Sequence, residues 1–290
     1  MREVRTGGRN SPEYPRLLQE CPDAPDRVFV AGRVLEPAPY LAVVGARRPT
    51  TYGLEVTGWL AREISVAGLV VVSGMAAGID SAAHRGALKA GGPTVAVLGC
   101  GLDICYPRRN RDLYETLSES GTLVSEYEAG VQPLPHHFPQ RNRIIAGMSL
   151  GVVVVEGRPE GGAMITARLA GEYGREVFAV PGPCHSANSE GPHRLIREGA
   201  RLVSSPDELL EDLGLDSLIP VHAETERPGL GPDERRVLAA LEATPELLDR
   251  VARVSGMPPS SAAAVLSRLE IAGLVARHAG GRFSLVVSVG

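Results

Sequence analysis

The 290-residue chain predicts an α/β protein: a doubly wound, mostly parallel sheet, followed by a small helical domain with a two-stranded wing. Three observations carry this. Short β-branched runs alternate with longer amphipathic stretches as far as about residue 213. Runs such as VVVV at 152–155 lack period-2 alternation, so both faces are buried, as in a parallel sheet covered by helices. Most runs also end in glycine, at the carboxyl edge where such sheets place their ligand crevice.

The expected strands are RVFVAG (27–32), YLAVVGA (40–46), LVVVSG (69–74), PTVAVLG (93–99), GTLVSEY (121–127), LGVVVVEG (150–157), EVFAVPG (176–182) and ARLVSS (200–205). TYGLEVTGWLAREISVAG (51–68) and SAAHRGALKAGG (81–92) are among the helices between them. Residues 1–26 read as an N-terminal extension and 27–213 as the main domain. Residues 214–231 carry Gly and Pro without periodicity and read as a linker. Over 232–290, DERRVLAALEA, PELLDRVARVSG and PPSSAAAVLSRLEIAGL give three helices, and LVARHAGGRFSLVV gives a strand pair turning at Gly280-Gly281. Three helices and a wing make a winged helix. Pro258 and Pro259 suit the start of its third helix, with Ser260 as a cap.

The net charge is −4, so no global field draws the protein to a polyanion, and any anion site is local. The cations are almost all arginine, with Lys89 the single lysine, and arginine forks suit phosphate. Four cysteines form neither a CxxC pair nor a disulfide framework, which points to reduced thiols. No apolar signal region opens the chain, and no stretch approaches the ~20 apolar residues of a membrane span. The expected location is the cytoplasm.

Four loops carry the candidate chemistry. In VVGARRPTTYG (43–53) a strand ends at Gly45, Arg47 and Arg48 follow, and Thr50 or Thr51 caps a helix. Glycine admits an anion to backbone N–H groups, and arginine adds bidentate donors. Taken alone, this segment fits equally an anion cradle or an ordinary turn with solvated arginines. In VVSGMAAGIDSAAHRGAL (71–88), Gly74 and Gly78 allow close backbone approach. Asp80 and His84 there share a helix face, fitting a cap and a packed histidine better than a metal pair. In PHHFPQRNRIIAGMS (135–149), Arg141 and Arg143 sit at a helix start, where the dipole disfavours cations. An anion there would compensate them, and Phe138 offers a base a stacking surface; two solvated arginines beside a core Phe is the plain alternative. In VVVVEGRPEGGAMITARLA (152–170), Gly161 and Gly162 turn the chain after Glu156, with Thr166 in the next helix. Cys184-His185 lacks an orienting partner and reads as loop.

There is no Walker lysine, HExxH, GxSxG or spaced carboxylate pair. The four loops describe an edge built to hold phosphates rather than to cleave a bond, and no cofactor is expected.

VVGARRPTTYG, VVSGMAAGIDSAAHRGAL, GLDICYPRRNRDL, FPQRNRIIAG, REVFAVPG and GPHRLIREGARLV, in that order, resemble the DNA processing protein A (DprA/Smf) family over about Tyr14–Leu213. The tail resembles the winged helix that many members carry. The resemblance implies an extended Rossmann-like domain and a cytoplasmic homodimer. It further implies binding of single-stranded DNA, protection of incoming DNA in natural transformation, and help in loading the RecA recombinase. Carried over residue by residue, the DNA-binding set is Gly45, Arg47, Arg48, Gly74, Phe138, Arg141, Asn142, Arg143, Gly161, Gly162 and Thr166. The family's serine before Arg47 is Ala46 here, and its Ser-Gly-Ser turn is Gly161-Gly162-Ala163, so three hydroxyls are missing while backbone amides persist.

The alternative is a nucleotide hydrolase of the phosphoribohydrolase (LOG-like) type, whose PGGxGTxxE loop aligns with EGGAMITARLA. The assisting glutamate is missing there, and the first acid afterwards is Glu172, so no enzyme activity is expected. A dinucleotide oxidoreductase fails on the absent GxGxxG. The winged helix carries seven arginines against six acids over 233–290, and only Arg268 on its third helix. Duplex contact through Arg277, His278 and Arg282 and a protein-contact role are equally open.

Overall fold

The computed structural model describes residues 4–285 except 12, 36, 219–230, 242–244, 272–273 and 279. Most of the expected linker therefore lies outside the described residues, as do 286–290. The chain divides into two compact units, Met1–Pro220 and Val221–Gly290.

The first unit is built on one sheet whose strands are β1 Arg5–Gly8, β2 Arg27–Gly32, β3 Tyr40–Val44, β4 Val70–Ser73, β5 Thr94–Leu98, β6 Thr122–Ser125, β7 Gly151–Val154, β8 Glu176–Ala179 and β9 Arg201–Leu202. Their order is β1-β2-β6-β5-β4-β3-β7-β8-β9. From β6 to β9 every pairing is parallel, while β2 on β6 and β1 on β2 are antiparallel. The chain runs outward from β3 to β6, then restarts at β7 on β3's other side. The topological switch thus falls between β3 and β7, where a doubly wound sheet opens its crevice.

The connections are α1 Arg16–Gln19, α2 Thr51–Val66, α3 Ile79–Lys89, α4 Arg111–Ser120, α5 His137–Gly147, α6 Gly162–Glu172, α7 Glu190–Arg197 and α8 Pro206–Asp212. Successive strand residues feed opposite cores. Ala42, Val44, Val152 and Val154 join one apolar cluster with Ile144 of α5 and Ala167 of α6. Leu41, Val43 and Val153 join the other with Leu60 and Ile64 of α2 and Leu209 of α8. This two-sided burial is why the valine runs show no alternation.

Described residues of the expected N-terminal extension join the first unit's sheet and core. Thr6 pairs with Phe29 in the sheet, and Tyr14, Leu18, Cys21 and Ala24 are buried in the first core cluster. The stretch RTGG carries no apolar alternation, so it gave no strand signal; pairing with β2 makes it one.

In the second unit, α9 Pro232–Ala239, α10 Leu248–Ser255 and α11 Pro259–Ile271 pack with a sheet of β10 Glu246–Leu247, β12 Arg282–Leu285 and β11 Val275–His278, in that spatial order. Val237, Val251, Leu266, Val275 and Phe283 form its core. PELLDRVARVSG is not one helix: Glu246 and Leu247 pair with Phe283 and Arg282 before α10 starts. Because α11 begins at Pro259, Ser260 lies inside its first turn rather than capping it. No helix among the described residues is long and apolar enough to cross a membrane.

Candidate functional site

The carboxyl ends of β3 and β7 open into a crevice of about 640 Å³. Of the sequence-derived set, Gly45, Arg47, Arg48, Phe138, Arg141, Asn142, Gly161, Gly162 and Thr166 line it. Gly74 and Arg143 do not.

One wall is the loop from β3 to α2. A Cβ at Gly45 would stand 2.7 Å from Ile79 and 2.8 Å from the Glu156 carbonyl, so the backbone can pass there only without a side chain. Thr50 caps α2, its Oγ1 accepting from the Gly53 N–H at 3.1 Å. Arg47 and Arg48 are exposed and make no ion pair among the described residues. Arg158, after β7, joins them as a third exposed arginine of the crevice without an ion pair among the described residues. On the opposite side α6 starts at Gly162 with no side-chain cap and no acid in its first turn. Its amides and partial positive end therefore face the same space.

The second wall is α5. Phe138 is half-buried, packed over Gly99, where a Cβ would stand 3.1 Å from the ring. Tyr106 stacks on it, ring centres 5.3 Å apart, and the Arg47 guanidinium carbon lies 5.7 Å from its centre. Tyr106 was not identified from the sequence; its place in GLDICYPRRNRDL was the available signal.

The floor holds Arg141, 4% exposed. Its Nη1 donates to the Gly74 carbonyl at 2.7 Å and to the Val97 carbonyl, and its Nε donates to Asn142 Oδ1 at 3.3 Å. Burial pushes Arg141 below its ordinary value and the Asp80 carboxylate pulls it back; burial likewise raises Asp80, opposed by Arg141. Gly74 takes its place through this contact, since a Cβ would stand 2.5 Å from the guanidinium. Asn142 Nδ2 and Thr166 Oγ1 both donate to the Gly162 carbonyl, at 3.2 and 3.4 Å, tying α5 to the start of α6.

The dipole-based expectation for the two α5 arginines is corrected here. Arg141 is compensated from within by carbonyls and Asp80. Arg143 faces away from the crevice, with Nη2 2.6 Å from both Glu126 carboxylate oxygens and Nη1 on the Asp23 carbonyl. Its countercharge is Glu126, which sequence spacing could not pair with it. Asp80 and His84 bond other partners rather than each other: Asp80 accepts from Ala76 N–H at 3.2 Å, and His84 Nδ1 meets Thr94 Oγ1 at 2.8 Å. Glu172 stands at the far end of α6, exposed and paired with Arg168 at 2.6 Å, outside the crevice lining.

Fold and crevice together define a Rossmann-like α/β protein with an arginine-lined switch-point crevice and an appended winged helix. The chain belongs to the DNA recombination-mediator protein A family, whose model matches residues 6–214; the DprA winged helix domain model matches residues 221–281. It is 42% identical to Protein Smf of Escherichia coli over 92% of this chain and 74% of that one. It is 44% identical to DNA processing protein DprA of Streptococcus pneumoniae over 69% and 71%. The crystal structure of the Streptococcus pneumoniae DprA superposes with a TM-score of 0.70 at 42% identity, covering 72% of this chain and 74% of that chain. DprA of Helicobacter pylori, described for its single-stranded DNA binding mode, superposes at 0.67 with 29% identity over 74% and 97%. The relatives from Bacillus subtilis and Streptococcus pneumoniae are named for DNA processing.

Proposed function

We propose that this chain binds single-stranded DNA along the switch-point crevice, mainly through backbone phosphates. The observation that carries the reading is the convergence of Arg47, Arg48 and Arg158, none in an ion pair among the described residues, beside the Phe138–Tyr106 stack. Free guanidiniums supply phosphate donors, and an aromatic platform accepts any base. Supporting it, the structurally similar Helicobacter pylori protein is described by its single-stranded DNA binding mode. The proposed site residues are Gly45, Arg47, Arg48, Phe138, Arg141, Asn142, Gly161, Gly162 and Thr166, with Gly74 and Arg143 in supporting positions.

In the wider role, the chain protects incoming DNA in natural transformation and hands it to RecA, in the cytoplasm and as a homodimer. That role rests on family membership. The winged helix contributes a duplex or protein contact. A titration of the full chain with single-stranded DNA, duplex DNA and AMP over a salt series tests the binding reading. The expected result is preference for the single strand, affinity falling steeply with salt, and little sequence dependence. Equal affinity for AMP and the strand, or release of free base from AMP, would overturn it.

A further inference from the structure

Glu156 follows β7 at the crevice edge and is 2% exposed. It makes no ion pair among the described residues. Its carboxylate is instead filled by three donors. Thr50 N–H donates to Oε2 at 2.9 Å, Thr50 Oγ1 to Oε1 at 2.5 Å, and Asn188 Nδ2 to Oε2 at 3.3 Å. The same Asn188 amide donates to the Arg48 carbonyl at 3.0 Å, while the Gly157 N–H donates to the Asn188 carbonyl at 2.7 Å. The carboxylate also fills the space a side chain at position 53 would need: a Cβ on Gly53 would stand 2.5 Å from Oε2.

Two effects oppose each other here. A buried anion beneath a phosphate site repels the ligand, with little water to screen it. A carboxylate that pins Thr50 and, through Asn188, the Arg48 carbonyl fixes the 47–50 loop at two points. That loop carries two long side chains whose ordering would otherwise cost free energy at binding. We propose that the second effect wins and that Glu156 is a positioning residue: through Thr50 and Asn188 it holds the 47–50 loop so that Arg47 and Arg48 face the crevice. This rests on the crevice being the DNA site.

The test separates geometry from charge. Glu156→Met keeps the volume and removes all three acceptor contacts. Glu156→Gln can keep Oε1 on Thr50 N–H and Asn188 while donating to Thr50 Oγ1, so it retains the geometry and loses the charge. Single-stranded oligonucleotide binding is measured across a salt series for both, with thermal melts as a check on folding. Glu156→Met is expected to weaken binding about tenfold. It should flatten the slope of log K against log salt by about 0.7–1.4, as one or two phosphate contacts are lost. Glu156→Gln should bind as well as or better than the parent chain. Glu156→Met in an Arg47→Ala/Arg48→Ala background should add no further loss. Binding by Glu156→Met at or above the parent level, with an unchanged slope, overturns the proposal. If that variant does not fold, the half-buried Asn188→Ala reads the same link, and an unchanged slope there overturns it equally. If Arg47→Ala/Arg48→Ala itself leaves affinity intact, the crevice reading fails rather than the role of Glu156.

Discussion

The guanidinium carbon of Arg47 lies 5.7 Å from the centre of the Phe138 ring, within reach of the attraction between a cation and an aromatic face. These residues come from different walls of the crevice, 91 positions apart in the chain. Their contact joins the proposed phosphate-binding side chain to the proposed stacking platform, so a strand lying there would meet charge and ring together.

Removing the ring separates the two contributions. Phe138→Ala should lower single-strand affinity by about 1–3 kcal/mol, the worth of one stacked base, while leaving the salt slope unchanged. Fluorescence anisotropy over a salt series reads both quantities, and a flattened slope would mean that the ring serves chiefly to hold Arg47.

Arg47 and Arg143 should behave oppositely although both were read from the sequence as phosphate contacts. Arg47→Ala should weaken binding and reduce the salt slope by about 0.7, one contact's worth on a single strand. Arg143→Ala should keep the slope and lose about 1–3 kcal/mol of stability in a urea melt, because its Nη2 contact with both Glu126 oxygens is structural.

Beneath the crevice, Gly74→Ala sets a methyl group against the Arg141 guanidinium and should destabilise the fold by about 1–3 kcal/mol. Arg141→Met should cost more, about 3–5 kcal/mol, since it strands the Gly74 and Val97 carbonyls and leaves Asp80 without its countercharge. Denaturant midpoints rank the two, and the reverse order would mean that Asp80 is neutral in the folded state.

Acid sensitivity should have an identifiable source in His84. Burial, then the positive Arg141, push its imidazole down to about 3. Thr94 Oγ1 gives its one hydrogen to the Val71 carbonyl at 2.8 Å, so His84 Nδ1 must be the donor, and Nε2 is buried without a partner among the described residues. Above the ordinary histidine value both folded and unfolded chains carry a neutral ring, and the group does not affect stability. As pH falls below about 6.5, only the unfolded chain takes up the proton, and stability drops by up to about 1.4 kcal/mol per unit until pH nears 3. Urea midpoints between pH 7 and 5 should fall for the parent chain and flatten in His84→Gln; parallel curves would clear His84 of the effect.

The strands that the valine-rich runs mark were legible because burial on both faces leaves an uninterrupted apolar signature. β1 and β10 were not, since RTGG and Glu246-Leu247 become strands only by pairing with partners about 20 and 35 residues away. At the crevice, glycines and arginines were legible by type and spacing. Their roles were not: Arg143 is taken by Glu126, Gly74 serves Arg141, and Tyr106 joins the site from a distant loop. Glu156 marked a strand end, but its bonds to Thr50 and Asn188 span 106 and 32 positions and leave no local trace.

The switch between β3 and β7 has a consequence for folding. The crevice takes residues from both directions of the winding, from Val44 to Asn188, so neither half of the sheet contains a site by itself. A ligand there binds only the assembled domain and stabilises it by mass action, acting as a clamp across the seam. If the crevice is the DNA site proposed above, affinity for the strand reports on completed assembly, and partly folded chains would compete poorly for DNA without any separate quality check.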